Sequence, residues 1–203
     1  MGLILPGLAQ ELSSKQVILH SMELANNYFM AKWPDPGVDI VTDKTRPSNL
    51  WTRATYYEGL MTLYYTNQDP VLYQYAVDWG ESHSWNPTYG NLTTRDGDHH
   101  CCGQTYIELY KISGNADWIG PITTTMDNMV DDDKNDDWSW IDAIQMAMPV
   151  FAKLGDVHND TAYFDKMYKM YSYTKRNHGT SGLYNTIDHL WYRDRNFDPP
   201  TTT

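Results

Sequence analysis

The chain of 203 residues has only two cysteines, Cys101 and Cys102, and they are neighbours. Adjacent cysteines cannot reach ordinary disulfide geometry, so a disulfide framework is excluded and cysteine use says little about compartment. No apolar run is long enough to span a bilayer, which excludes a membrane-spanning reading. Basic residues are few: 15 Lys and Arg stand against 26 Asp and Glu, for a net charge of −11. That balance argues against nucleic acid as a partner, although local arginines can still hold an anionic ligand. A Gly-x-Ser-x-Gly nucleophile elbow and a phosphate-cradling glycine loop are both missing.

What is present is amphipathic aromatic surface. Tyr and Trp number 16 and 8 while Phe numbers 4. Such rings stack on sugar C–H faces and still hydrogen-bond, so they suit wet concave sites. Hydrophobic content of 41% is enough for a core, and the length fits one domain or a large piece of one, here 13–203. Residues 1–12 read either as the remnant of a secretory signal or as a plain apolar tail. The first alternative places the protein in the periplasm or outside the cell, the second in the cytoplasm.

The periodicity predicts an all-α chain. Helices are expected over 13–31, 51–65, 69–84, 101–112, 118–130 and 161–176, with loop between 33 and 49, and 183–184 and 190–192 as short strands. The pattern also repeats. Glu58-Gly59-Leu60-Met61-Thr62-Leu63-Tyr64 aligns with Gln104-Thr105-Tyr106-Ile107-Glu108-Leu109-Tyr110 and with Pro149-Val150-Phe151-Ala152-Lys153-Leu154. A period of roughly 45 residues is one helical hairpin, and hairpins of this kind stack into a solenoid or close into a ring. Arg53, Asp98 and Asp142 fall about one repeat apart near helix starts, so they are expected to converge on one end of the axis.

The stretch 138–155 is apolar nearly all round and predicts a buried helix. Asp142 sits in its first turn beside Trp138 and Trp140. A carboxylate among indoles is expected to be desolvated, with its pKa raised toward a value useful for donating a proton. The other reading is a helix-start carboxylate that complements the macrodipole. Asp96, Asp98, His99, His100, Cys101 and Cys102 have metal-binding atoms but poor ligand spacing, so no metal is expected; Asp98 and His99 are read as facing the cavity. The acidic run 131–137 lacks the turn glycine and closing glutamate of a calcium loop and reads as solvated. Asn91-Leu92-Thr93 and Asn159-Asp160-Thr161 match glycosylation sequons.

Four motifs, in order, resemble glycoside hydrolase family 105, the unsaturated rhamnogalacturonyl hydrolases, and the related family 88. They are Thr45-Arg46-Pro47-Ser48-Asn49-Leu50-Trp51-Thr52-Arg53 with Tyr56-Tyr57-Glu58-Gly59-Leu60; Asp98-His99 with Cys102-Gly103-Gln104-Thr105-Tyr106; Trp140-Ile141-Asp142-Ala143 with Met146-Ala147 and Pro149; and Gly182-Leu183-Tyr184 with Leu190-Trp191-Tyr192-Arg193-Asp194. The resemblance implies an (α/α)6 barrel without a cofactor. It also implies removal of a 4,5-unsaturated uronic acid from pectin-type oligosaccharides by hydration of the double bond. By that likeness Asp142 is general acid and base, and Asp98 orients the ring or assists. Met146 and His99 fall among the motif residues and are counted with the substrate site. From the residues themselves, Arg53 and Arg193 are the candidates for the uronate carboxylate. Trp51, Trp138 and Trp140 are candidates for stacking walls. Six hairpins make the family barrel and this length supplies about four, so an incomplete ring is expected, whose open edge favours self-association. Two other readings stand beside the hydrolase: a non-catalytic glycan-binding or scaffold remnant, and another (α/α)6 sugar enzyme such as an epimerase or ordinary glycosidase.

Overall fold

The computed structural model describes residues 13–179 and 181–197; the signal-remnant reading at 1–12 lies outside them. Two compact units are present, divided after Pro34. The first consists chiefly of helix α1 (Lys15–Lys32), which Ser14 caps by accepting from the Val17 N–H at 3.3 Å. It ends where the Trp33 ring packs on Phe29 at 4.4 Å.

The second unit opens with a hairpin of β1 (Ile40–Val41) and β2 (Thr45–Arg46). The sequence pattern gives only loop here, because two-residue strands are too short for alternation to register. Among the described residues seven α-helices follow: α2 (Trp51–Asn67), α3 (Pro70–Ser82), α4 (Gly97–His100), α5 (Cys102–Ser113), α6 (Gly120–Val130), α7 (Asp142–His158) and α8 (Thr161–Arg176). Helices α2, α5 and α7 lie side by side in one row, backed by α3, α6 and α8. The predicted tail strands meet as a single antiparallel bridge, Tyr184 to Trp191.

The three row helices end alike. Gln68, Gly114 and Asn159 each adopt left-handed backbone, with φ of 55°, 72° and 50°. Each is followed at once by an Asx residue, Asp69, Asn115 or Asp160, whose side chain accepts from the N–H two residues on. A left-handed residue stops one helix and an Asx cap starts the next segment, so a two-residue signal reverses the chain three times.

Backing helices bury apolar faces against the row. Ile122, Met126 and Met129 of α6 pack with Val150, Phe151 and Leu154 of α7 and with Tyr163 and Met170 of α8. At the other end Tyr57 stacks on Trp79 at 3.8 Å, and the Trp79 indole donates to the Ser48 carbonyl at 3.1 Å. Between the rows a Cβ on Gly103 would lie 2.6 Å from Ile122, so only glycine lets α5 and α6 approach this closely.

The stretch 138–155 is not one helix. Helix α7 starts at Asp142, and Trp138 and Trp140 precede it. Trp140 pairs with Asp194 as an antiparallel bridge, and the Ile141 N–H donates to the Arg193 carbonyl at 2.9 Å. Backbone bonds to the tail therefore replace the helical bonds these residues would otherwise make. Pro149 lies inside α7 and removes the donor that the Gln145 carbonyl would use. The Gln104 side-chain amide on α5 supplies it instead, at 2.9 Å to Gln145 O and 3.1 Å to Met146 O.

Candidate active site

A cavity of about 470 Å³ opens where the N-terminal ends of α2, α4 and α7 meet. Its walls carry Trp51 from α2, Gly97 and Asp98 from α4, and Asp142 and Ala143 from α7. Arg95 and Asp96 from the preceding loop and Asp137, Ser139 and Trp140 from the segment before α7 complete them.

The register of these residues comes from the repeat. Trp51 stands 17 residues before the left-handed cap Gln68, Gly97 17 before Gly114, and Asp142 17 before Asn159. All three line the cavity. Asp98 and Ala143 are one residue further on and line it too. Arg53 is two residues further on than Trp51, about 200° around the helix. It is only 2% exposed, points into the protein and donates to the Val38 carbonyl at 2.9 Å. Arg53 does not line the cavity, and the expected convergence holds for Asp98 and Asp142 but not for Arg53.

Asp98 enters through a capped turn. Asp96 accepts from the Asp98 N–H at 3.0 Å and starts α4. Burial pushes the Asp98 carboxyl up to about 6, and the charges of Asp96 and Asp142 push the same way. A hydrogen bond from the Trp51 side chain partly offsets this by favouring the ionised form. Asp142, by contrast, is exposed on the cavity wall. The indole enclosure expected for it is absent, because Trp138 is fully buried, edge-on to Phe151 at 6.0 Å, and Trp140 turns toward Arg193. Of the desolvation argument, what the geometry supports belongs to Asp98.

The remaining predicted residues divide plainly. Trp51 and Trp140, 37% and 47% exposed, provide two indole walls. Trp138 and Met146 are core residues, 0% and 3% exposed, and do not line the cavity. His99 does not line the cavity either; its ring pairs with the Thr94 hydroxyl at 2.8 Å and meets Tyr89 edge-on. Arg193 does not line the cavity; it stacks its guanidinium on Trp140 at 4.5 Å and donates to Asp194 at 2.8 Å. His100 is fully buried against the Thr94 carbonyl, and burial pushes it down to about 4. Cys101 and Cys102 are buried, and burial raises both thiols. Among the described residues no group of three His, Cys, Asp or Glu side chains is placed to hold a metal ion.

Arg95 is a lining residue the motifs did not point to. Its Nε and one terminal nitrogen grip the Asp137 carboxylate at 2.9 and 2.7 Å, and it also pairs with Asp132 at 2.5 Å. Lys166, only 3% exposed, donates to Asp132 Oδ1 at 3.0 Å and to the carbonyls of Asp132 and Lys134. The acidic run is solvated over most of its length, as expected, with 131–134 and Asp136 exposed, but it is also clamped at its end, where the Asp137 side chain is only 4% exposed. The Asp96-Gly97 turn pair was the available signal for the α4 start.

Residues 21–203 match Glycosyl Hydrolase Family 88. Among solved structures, one is a glycosyl hydrolase family 88 protein from Bacteroides vulgatus, at 23% identity and TM-score 0.80, covering 93% of this chain and 53% of that one. A protein described as a polysaccharide lyase matches at 23% identity and TM-score 0.80, covering 93% and 52%. A family 105 glycoside hydrolase from C. acetobutylicum ATCC 824 matches at 17% identity and TM-score 0.61, covering 89% and 49%. This chain spans about half the length of each. The fold shared with them is that of (α/α)6 barrel enzymes. No curated protein sequence matches. On the family match across 21–203, the chain belongs to glycosyl hydrolase family 88.

Proposed function

We propose that the site removes a 4,5-unsaturated uronic acid from the non-reducing end of pectin-derived, rhamnogalacturonan-type oligosaccharides by hydrating the double bond. The observation that carries this reading is two carboxyls, Asp98 and Asp142, on one cavity between the indoles of Trp51 and Trp140. Asp142, exposed to the cavity, gives a proton to C4 and takes one back from the water that adds to C5. The hemiketal so formed opens to a ketone and releases the aglycone sugar. Asp98, with its carboxyl pushed up to about 6, retains a proton at mildly acidic pH and keeps the pair from carrying two full charges beside an anionic substrate. Trp51 and Trp140 supply stacking faces. Arg95 is held by two carboxylates, Asp132 and Asp137, and Arg193 by one, Asp194, so the uronate carboxylate is assigned to Arg193, which does not line the cavity itself but lies on the face of its Trp140 wall.

The test is the ultraviolet absorbance of an unsaturated disaccharide. Hydration removes the conjugated double bond, so absorbance falls with the wild type and stays flat with Asp142→Asn. A flat trace for both, across several unsaturated uronides, defeats the reading. A flat trace together with calorimetric binding that survives Asp142→Asn points to a glycan-binding role. A rise in absorbance on saturated uronans means elimination in place of hydration.

A further inference from the structure

Glu58, on α2, takes no part in the proposed reaction and does not line the cavity. Its two carboxylate oxygens serve different helices. Oε1 accepts from the Cys101 thiol at 3.3 Å, and Oε2 accepts from the Gln145 side-chain amide at 2.8 Å. Cys101 lies three residues after Asp98, in right-handed helical backbone between α4 and α5. Gln145 lies three residues after Asp142 on α7. Residues three apart share a helix face. One carboxylate is therefore bonded to the side chain one turn along from each acid of the pair. Burial foremost raises the Cys101 thiol, and the charges of Glu58 and Asp98 both add to this, so the thiol is near both carboxyls. Helix α2 meets the pair a second time through Trp51, seven residues before Glu58 and two turns along the same face, whose side chain donates to Asp98.

The brace answers a repulsion. The Asp142 charge disfavours ionised Asp98, so the two helix starts are driven apart when both acids are charged. Contact between Gly97 and Ala143 sets a lower limit on their separation and no upper one. Directional bonds from a third helix supply the upper limit. Burial raises the Glu58 carboxyl, opposed by Cys101, Lys153 and Gln145. A carboxylate drawn out of water in this way is a poor stabiliser, and what it adds is direction. We propose that Glu58 is a positioning residue for Asp98 and Asp142, holding the turns that carry them at one separation through Cys101 and Gln145. This rests on the reading of Asp98 and Asp142 as the reacting pair.

The test compares two variants of equal charge. In Glu58→Gln the side chain keeps its shape: its oxygen accepts from Cys101, and its amide donates to Gln145 once the Gln145 amide turns over. Glu58→Leu removes both bonds. Two quantities are measured, turnover of an unsaturated disaccharide and the titration of Asp98 by carboxyl-carbon NMR, its signal identified by loss in Asp98→Asn. Glu58→Gln should keep the wild-type kcat. Glu58→Leu should lose about tenfold or more in kcat with KM little changed, because the pair is displaced and the stacking walls are not. Asp98 should titrate at lower pH in the Leu variant than in the Gln variant, because Asp142 has moved away. Gln145→Leu, at an exposed position, cuts the α7 arm alone and should give both changes in smaller measure, which provides the same reading if Glu58→Leu does not fold. Thermal melting places every assay well below unfolding. Where the wild type turns over, agreement of the Leu variants with Glu58→Gln in either measurement overturns the positioning role and leaves hydration standing. Where the wild type is flat on every uronide, hydration fails and the titration alone decides: a lower Asp98 titration in the Leu variants sustains the brace, and an equal one overturns it.

Discussion

A Cβ added to Gly97 would lie 3.0 Å from the Cβ of Ala143 and 3.1 Å from its Cα. The starts of α4 and α7 are in contact here with no room for a side chain, and the next residue on α4 is Asp98 while the one before Ala143 is Asp142. The glycine thus sets how closely the two carboxyls stand. Gly97→Ala should push α4 away from α7, because the obstructing atoms, the Cβ and Cα of Ala143, cannot move aside by a change of rotamer. We expect kcat/KM to fall about tenfold or more, since catalytic geometry tolerates little displacement, while the melting temperature drops by only a few degrees. Full activity in this variant would show that the spacing of the pair is not critical.

The Asp98 carboxyl, raised to about 6, makes stability depend on pH with a definite sign. The folded protein holds this proton more tightly than the unfolded chain, whose carboxyl titrates at about 3.9. The associated stability is complete below about pH 4 and is lost as pH rises through 6. Asp98→Asn should therefore melt about 2–4 °C above the wild type at pH 7, a modest figure because Asp98 is partly solvated. At pH 4 the two proteins should melt together. A gap of the same size at both pH values would remove titration as the cause.

Part of this arrangement was legible in the sequence because its chemistry is local. The reversals at Gln68-Asp69, Gly114-Asn115 and Asn159-Asp160 are written in adjacent residues, and they carry the repeat and with it the meeting of Asp98 and Asp142. The misreadings arise where a small local error becomes a large angle. The repeat aligns Arg53 with Asp98 and Asp142 only to within a residue or two, and at 100° per residue that turns its side chain from the cavity to the interior. The apolar pattern puts Trp138 in the same helix as Asp142, but the tail, through Arg193 and Asp194, holds 140–141 outside the helix. Arg95 was invisible for a different reason: its partners lie 37 and 42 residues away, and no local pattern announces such pairs.

Gln104 is the side chain that makes Pro149 tolerable inside α7. Its amide donates to the carbonyls of Gln145 and Met146, one of which the proline leaves without its helical donor. Gln104→Leu keeps the bulk and removes both bonds. It should cost about 1–3 kcal/mol, read as a lower denaturant midpoint with unchanged slope. Adding Pro149→Ala restores the helical donor, so the double variant should recover much of the loss. If the two changes are simply additive, the compensation described here is wrong.

The Arg95 clamp has a measurable consequence for the acidic run. Asp137 is nearly buried, and Arg95 binds both of its oxygens. Arg95→Leu leaves that carboxylate with Lys134 alone, which also holds Asp136. Stability should fall by about 2–4 kcal/mol, short of the full penalty for an unpaired buried charge because Lys134 remains. Arg95→Lys should recover less than half of it, since an ammonium cannot grip two oxygens of one carboxylate and reach Asp132 as well. Thermal melts of the three proteins in low and high salt check this; a loss abolished by salt would mean an exposed, screened pair.

Trp51 contributes both a wall and a proton donor, and the two roles can be separated. Its side chain donates to Asp98 and favours the ionised carboxyl, the lowering influence among several raising ones. Trp51→Phe keeps an aromatic face beside the cavity and removes the indole N–H. The Asp98 carboxyl should then titrate above 6, because burial, Asp96 and Asp142 act unopposed. If Asp98 must be protonated for turnover, the basic limb of the pH–rate profile should move to higher pH, and kcat/KM at the optimum should fall by less than about tenfold because the stacking face survives. Trp51→Ala removes the face as well, so it should show the same displaced limb together with a raised KM. A limb that stays in place in Trp51→Phe, or that moves to lower pH, would mean that the indole does not tune Asp98.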